Sequence, residues 1–177
     1  PGQPSGRDTG LVERLLNYTQ TDMILLGLKG VFEPKRVAVA LAGTVNLDLM
    51  VRLAGAIADQ SKGEITFLSV LPTEYTAEHR KHADKILGEA IHHHRGSSLY
   101  RTELLRSDSP LELIVERSQD FDLLIIGSSR VGIFERLVVG AFAAQVVEGS
   151  KCSVAVVRAI PPHKKAWTRI IGKRGDR

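Results

Sequence analysis

Residues 127–142 read GSSRVGIFERLVVGAF and follow directly on the apolar run FDLLII. Gly127, Gly132 and Gly140 thus lie between a strand-like run and a segment of helical period. Such a loop lets the backbone approach a ligand closely, and the N–H groups that open the next helix attract anions, so the chemistry on offer is phosphate binding. Two residues run against it. Arg130 stands where a close-approach loop takes a further glycine, and Ala141 stands where a hydroxyl would hold a phosphate oxygen. A guanidinium at 130 can bond a phosphate directly or fill the space one would occupy.

The other chemistry-bearing residues form weaker patterns. His92, His93 and His94 invite a metal. Successive helical side chains, however, point about 100° apart and cannot converge on one ion, so a solvated helix end is expected. His79 and His82, at i and i+3 beside Glu78, are a weak zinc pattern, and no metal site is expected. Ser128 and Ser129 lack a G-x-S-x-G elbow and any histidine or aspartate placed by sequence to activate them, so no catalytic residue is assigned. Cys152 is the sole cysteine; it is expected to pack as a small hydrophobe, with no internal disulfide and no sign of an oxidising compartment. A cytoplasmic setting follows as the default.

The elements that must position these residues alternate. Residues 36–42, 64–71, 99–106, 122–127 and 153–158 read as strands. Residues 47–60, 76–94, 110–119 and 134–149 read as helices, with Asn46 and Ser109 as expected N-caps and Pro110 at a first helical position. Strands apolar on both faces that alternate with helices imply an open α/β domain. The expected fold is a parallel five-stranded sheet with helices on both faces over residues 35–159, plus an N-terminal helix–strand appendage. Ligands of such sheets bind beyond the carboxyl ends of the strands, where the strand order switches, and Gly127 lies at such an end.

At 177 residues, 43% hydrophobic and 25% charged, the chain has the length and composition of one soluble globular domain. The net charge of +4 resides largely in the C-terminal stretch, so a nucleic-acid footprint is excluded for the body. That stretch, residues 160–177, mixes Lys164, Lys165, Arg169, Lys173 and Arg174 with Trp167, Ile170 and Ile171. It reads as a solvated basic tail with the composition for weak contact with an anionic membrane surface. The chain begins at Pro1, and the expectation is a piece of a longer polypeptide.

Residues 1–34 hold a partial repeat. LVERLLNYTQTDMILLG (11–27) echoes IVERSQDFDLLIIG (114–127): both share Val-Glu-Arg, then an Asp that opens an apolar strand ending in Gly. The expectation is one helix and one strand, the strand docking on the main sheet or on a partner chain because its apolar run would be costly to leave in water.

The complete copy resembles the universal stress protein family, most closely in DLLIIGSSRVGIFERLVVGAFAAQVVEGSKCSVAVVR. The family's ATP-binding branch carries Gly, two residues, Gly, nine residues, then Gly with Ser or Thr. Gly127 and Gly140 match, Gly132 matches a further loop glycine, and Arg130 and Ala141 depart. The branch also carries an Asp at the end of the first strand, where this chain has Ala42, and a nucleotide-contacting position that falls on Val70. The resemblance thus implies a nucleotide site of Ala42, Val70, Gly127, Ser128, Arg130, Gly132, Gly140 and Ala141. The residues themselves require no cofactor; ATP or another adenine nucleotide is the ligand the resemblance admits. Losing the carboxylate removes a charge-assisted bond of about 1.5–3 kcal/mol and losing the hydroxyl about 1 kcal/mol more, together a hundredfold or so in affinity. The expected function is a non-catalytic regulatory or interaction module with weak or absent nucleotide binding. The alternative is an ATP-binding stress-response protein with a working phosphate loop. Family domains also occur on the cytosolic side of membrane transporters and channels, so the remainder of a parent membrane protein is an expected partner. A homodimer through residues 153–158 is another, since the resemblance puts that strand at the sheet edge.

Overall fold

Strands that are apolar at successive rather than alternate positions need cover on both faces, and this requirement organises the chain. The structure, a computed structural model, describes residues 21–30, 33–128 and 141–160. In chain order the elements are β1 (Met23–Gly27), β2 (Arg36–Ala40), α1 (Leu47–Ser61), β3 (Glu64–Leu71), α2 (Ala77–His93), β4 (Leu99–Arg106), α3 (Pro110–Arg117), a 3-10 turn at Ser118–Asp120, β5 (Leu123–Gly127), α4 (Ala141–Gly149) and β6 (Ser153–Arg158). The strands form one six-stranded sheet in the order β1-β6-β5-β2-β3-β4. All neighbours from β6 to β4 are parallel, as expected for the five-stranded body.

Helices α1 and α2 cover one face, over Val39, Phe67, Ile125 and Val157. Helices α3 and α4 cover the other, over Ala38, Leu68, Leu124 and Val154. Helix α1 shows why: Leu47, Met50, Val51, Ala54 and Ala58 recur at helical spacing and all are buried. It stops at Lys62, whose φ of 54° is left-handed. Gly63 follows because a Cβ there would lie 2.3 Å from the Lys35 carbonyl oxygen, across the hydrogen bond from Glu64 N to that oxygen.

The N-terminal strand docks on the main sheet, as expected, and in doing so moves the sheet edge. β1 is the sixth strand of the same sheet, antiparallel to β6, with Met23 opposite Arg158 and Gly27 opposite Val154. β6 is therefore paired on both sides, and the sheet edge expected at Ser153–Arg158 lies at β1 instead. Lys29 fastens the strand. Its N–H donates to Ser153 Oγ at 3.0 Å, Ser153 Oγ donates back to Lys29 O, and its ammonium donates to the carbonyls of Val147, Glu148 and Ser150 at the end of α4. A cation there satisfies carbonyls that a helix leaves without partners. The helix expected at 11–20, residues 134–140 of the fourth helix and residues 161–177 of the tail lie outside the described residues.

Two smaller expectations also change. Asn46 and Ser109 precede helices, but neither side chain makes a cap hydrogen bond. The histidines at the end of α2 are not all solvated: His93 Nδ1 stands 3.3 Å from Asp48 Oδ1 on α1. His94 packs edge-on to Phe67 and Tyr100, with Nε2 3.1 Å from Ser98 O. His79 is used locally. Its N–H donates to Thr76 Oγ1 and its Nδ1 accepts from Thr76 N, a reciprocal cap of α2.

Asp122, which opens β5, ties it to β2. Its carboxylate accepts from Lys35 N and Arg36 N and from the Arg36 guanidinium at 2.7 Å. Burial opposes the charge, but the hydrogen bonds from Arg36 and Lys35 prevail and hold the carboxyl below its ordinary 3.8. A carboxyl lowered in the folded state contributes stability that is present above its unfolded value and lost as pH falls through the folded one. Chemical denaturation from pH 7 downward should therefore show a smaller acid loss in Asp122→Asn than in the unchanged chain below about pH 4. Equal acid slopes would contradict this. Lys29→Met should lower stability by about 1 kcal/mol, a fall in Tm of about 2–4 °C. An unchanged melting curve would show that the ammonium holds nothing.

Candidate functional site

Strand order reverses between β2 and β5: β3 and β4 continue on one side of β2, β5 and β6 on the other. In open α/β sheets the crevice beyond the carboxyl ends at such a point is where ligands sit. The register brings the expected residues there. Ala40 pairs with Leu68 on one side and Ile126 on the other; Ala42 and Ser128 follow just past the ends of β2 and β5, and Val70 lies two residues further along β3. Gly127 closes β5 opposite Val157. Ala42 is exposed, Val70 is half-buried against the α3–α4 core, and Gly127 and Ser128 are half-buried. α4 is described from Ala141 to Gly149, just ahead of β6. Arg130, Gly132 and Gly140 lie outside the described residues.

One residue of the crevice escaped the sequence reading. Asn46, just before α1, is 8% exposed, donates from Nδ2 to Ser128 O at 3.0 Å and accepts at Oδ1 from Ala159 N at 2.8 Å. A single amide therefore links the start of α1 to the chain leaving β5 and the chain leaving β6. Both of its polar ends are satisfied by backbone, as a buried amide requires. The signal in the sequence was only an asparagine before a helix, which reads as a cap because local partners are visible in sequence and distant ones are not.

Gly127 is fixed by the same residue. A Cβ on it would lie 2.8 Å from Asn46 Nδ2 and 3.3 Å from Met50 Sδ. The glycine is thus required by the close approach of α1, whether or not a ligand uses its backbone.

The chemical inventory of the crevice is short. Among the described residues no histidine or carboxylate bonds the Ser128 hydroxyl, and no group of three or more His, Cys, Asp or Glu could hold a metal ion. Cys152 is buried in the α3–α4 core, and burial pushes its thiol up. No helix among the described residues is long and apolar enough to cross a membrane. Further out, Arg106 at the end of β4 lies over the Tyr75 ring, 4.9 Å from its centroid, and donates to its hydroxyl. Gly127→Ala should cost about 1–3 kcal/mol by pushing against an amide pinned at both ends. In Asn46→Ala the same substitution should cost less, which urea unfolding of the double-mutant cycle would measure. Additive losses would show that the two residues do not oppose each other.

Solved structures share this fold. A universal stress protein from Archaeoglobus fulgidus superposes with a TM-score of 0.63 at 20% identity, covering 70% of this chain and 98% of that one. A universal stress protein in complex with cAMP gives 0.60 at 22% identity, covering 72% and 99%. A putative universal stress protein from Pseudomonas aeruginosa gives 0.61 at 14% identity and covers 97% of this chain, but 66% of its own longer one. A further Archaeoglobus fulgidus structure in the same range was solved in complex with dAMP. No curated protein matches the sequence. The family model described as universal stress protein family matches residues 33–158, from the approach to β2 through the last residue of β6. With most of its length so matched, the chain belongs to the universal stress protein family.

Proposed function

We propose that this domain is a non-catalytic regulatory or interaction module whose crevice takes an adenine nucleotide weakly or not at all. The observation that carries the reading is the exposed Ala42 just past the end of β2, on the carboxyl side of the switch point between β2 and β5. A methyl group there offers a nucleotide no acceptor, where the family's ATP-binding branch has a carboxylate for the adenosine. Ala141 likewise offers no hydroxyl where the family's ATP-binding branch has Ser or Thr. Stress-protein neighbours solved with cAMP and dAMP support an adenine monophosphate as the ligand class to test first. As a regulatory module, the domain would work within a larger polypeptide, with a parent transport protein as one setting. The basic segment at 160–177 would offer a weak contact to an anionic membrane surface. Among the described residues no histidine or carboxylate bonds the Ser128 hydroxyl, and the reading assigns no turnover.

Calorimetric titration of the chain with ATP, AMP, cAMP and dAMP tests this. The expected dissociation constant for ATP is weaker than about 100 μM, about 5.5 kcal/mol of binding free energy. Nucleotide that copurifies, or a low-micromolar constant, would favour the alternative of an ATP-binding stress-response protein. The triple substitution Ala42→Asp, Arg130→Gly and Ala141→Ser should strengthen ATP binding about a hundredfold. No gain would mean that the crevice does not admit the nucleotide at all.

A further inference from the structure

Three apolar side chains on and just beyond β1 face water. Ile24, Leu26 and Leu28 are 41%, 51% and 58% exposed. The register sets Ile24 opposite Val157 and Leu26 opposite Ala155, and both of those partners are fully buried under the α1–α2 layer. Cross-strand neighbours share a face, so Ile24 and Leu26 carry that apolar face outward past its cover. Leu25, between them, packs on the opposite face with the α3–α4 core.

The internal repeat indicates what belongs on the uncovered side. Residues 22–27 align one for one with 122–127, which makes Leu124 and Ile126 the counterparts of Ile24 and Leu26. Leu124 and Ile126 are 1% and 2% exposed, packed in one cluster with Ile114 of α3. In the complete copy that face is therefore covered by the helix that precedes the strand and carries Val-Glu-Arg. The partial copy has Val-Glu-Arg at 12–14, and around it Leu11, Val12, Leu15 and Leu16 fall on one helical stripe.

We propose that residues 11–20 form a helix that lies along β1 beside α1, with this stripe seated on Ile24, Leu26 and Leu28. Because β1 runs antiparallel to β6, the face in question turns to the α1 side rather than the α3 side. The lengths agree: ten helical residues span about 15 Å and five strand residues about 17 Å. The segment ends at residue 20, and Asp22 Oδ1 accepts from Ile160 N at 2.8 Å, which fixes where the chain turns into β1. The occupant of the patch is thus a segment of this chain, and the sheet is finished at β1 without a second copy.

Disulfide trapping in the full chain tests it. Leu15→Cys or Leu16→Cys is combined with Leu26→Cys, and mass is read after mild oxidation without reductant. At least one pair should close within a single chain. A disulfide between two chains would mean that a second copy covers the face, and none in either pair would mean that the segment lies elsewhere; both results overturn the proposal. Hydrogen exchange on the unsubstituted chain gives an independent reading. Amides of residues 11–20 should exchange at least tenfold slower than in a free peptide of that sequence. The Leu15→Asp, Leu16→Asp variant should lose that protection while the amides of Leu123–Gly127 keep theirs. Free-peptide rates at 11–20 in the unsubstituted chain would equally overturn the assignment.

Discussion

Asn46 stands where three separate parts of the chain meet, and neither end of its amide bonds its own helix. It donates to Ser128 O after β5 and accepts from Ala159 N after β6, while its backbone leads into α1. These contacts sit at the carboxyl edge of a parallel sheet, where each strand end would otherwise leave backbone groups to find partners alone. That one side chain ties the chain leaving β5 and the chain leaving β6 to the start of α1. Gly127 follows from it, because α1 can come this near to β5 only over a residue without a Cβ.

The two edges of the sheet are managed by different physics. β4 is exposed along much of its length and carries charge: Arg101 pairs with Glu64 and Glu103, and Glu103 passes the network on to Arg117 and Asp120. Charged side chains discourage another chain from adding a strand. The pairs are largely exposed and contribute little stability individually. At the opposite side, β6 is too apolar to serve as an edge, with Val154, Ala155 and Val157 fully buried. β1 covers it by antiparallel pairing, and Lys29 and Asp22 fasten that strand at its two ends. The N-terminal strand is accordingly part of the domain's structure and extends it beyond the region that the family model matches.

The crevice illustrates how one residue type answers to two demands. Glycine at 127 suits a loop that approaches phosphate and also suits a strand end pressed by a helix, and its presence alone does not separate them. Polar atoms do separate them, since a bound nucleotide needs acceptors and donors that packing does not. Ala42 contributes none, and the amide of Asn46 is already bonded to backbone on both sides.

The parallel body was legible in the sequence because it is set by local periodicity. Residues 64–71, 99–106 and 153–158 coincide with β3, β4 and β6, and the helical pattern from 47 coincides with α1. Successive apolar positions implied burial on both faces, which the layers of α1–α2 and α3–α4 supply. The repeat also identified residues 22–27 as a strand. Sequence could not say which edge that strand would take or in which direction, since pairing is a choice among distant partners of similar apolarity. Only the tertiary structure placed it antiparallel on β6, turned Ser153–Arg158 into an interior strand, and drew Asn46 away from its helix cap to backbone 82 and 113 residues along the chain. The local pattern fixed which segments would be strands and helices, because periodicity acts over a few residues. The neighbours were decided by long-range hydrogen bonds and burial, which have no signature at short range.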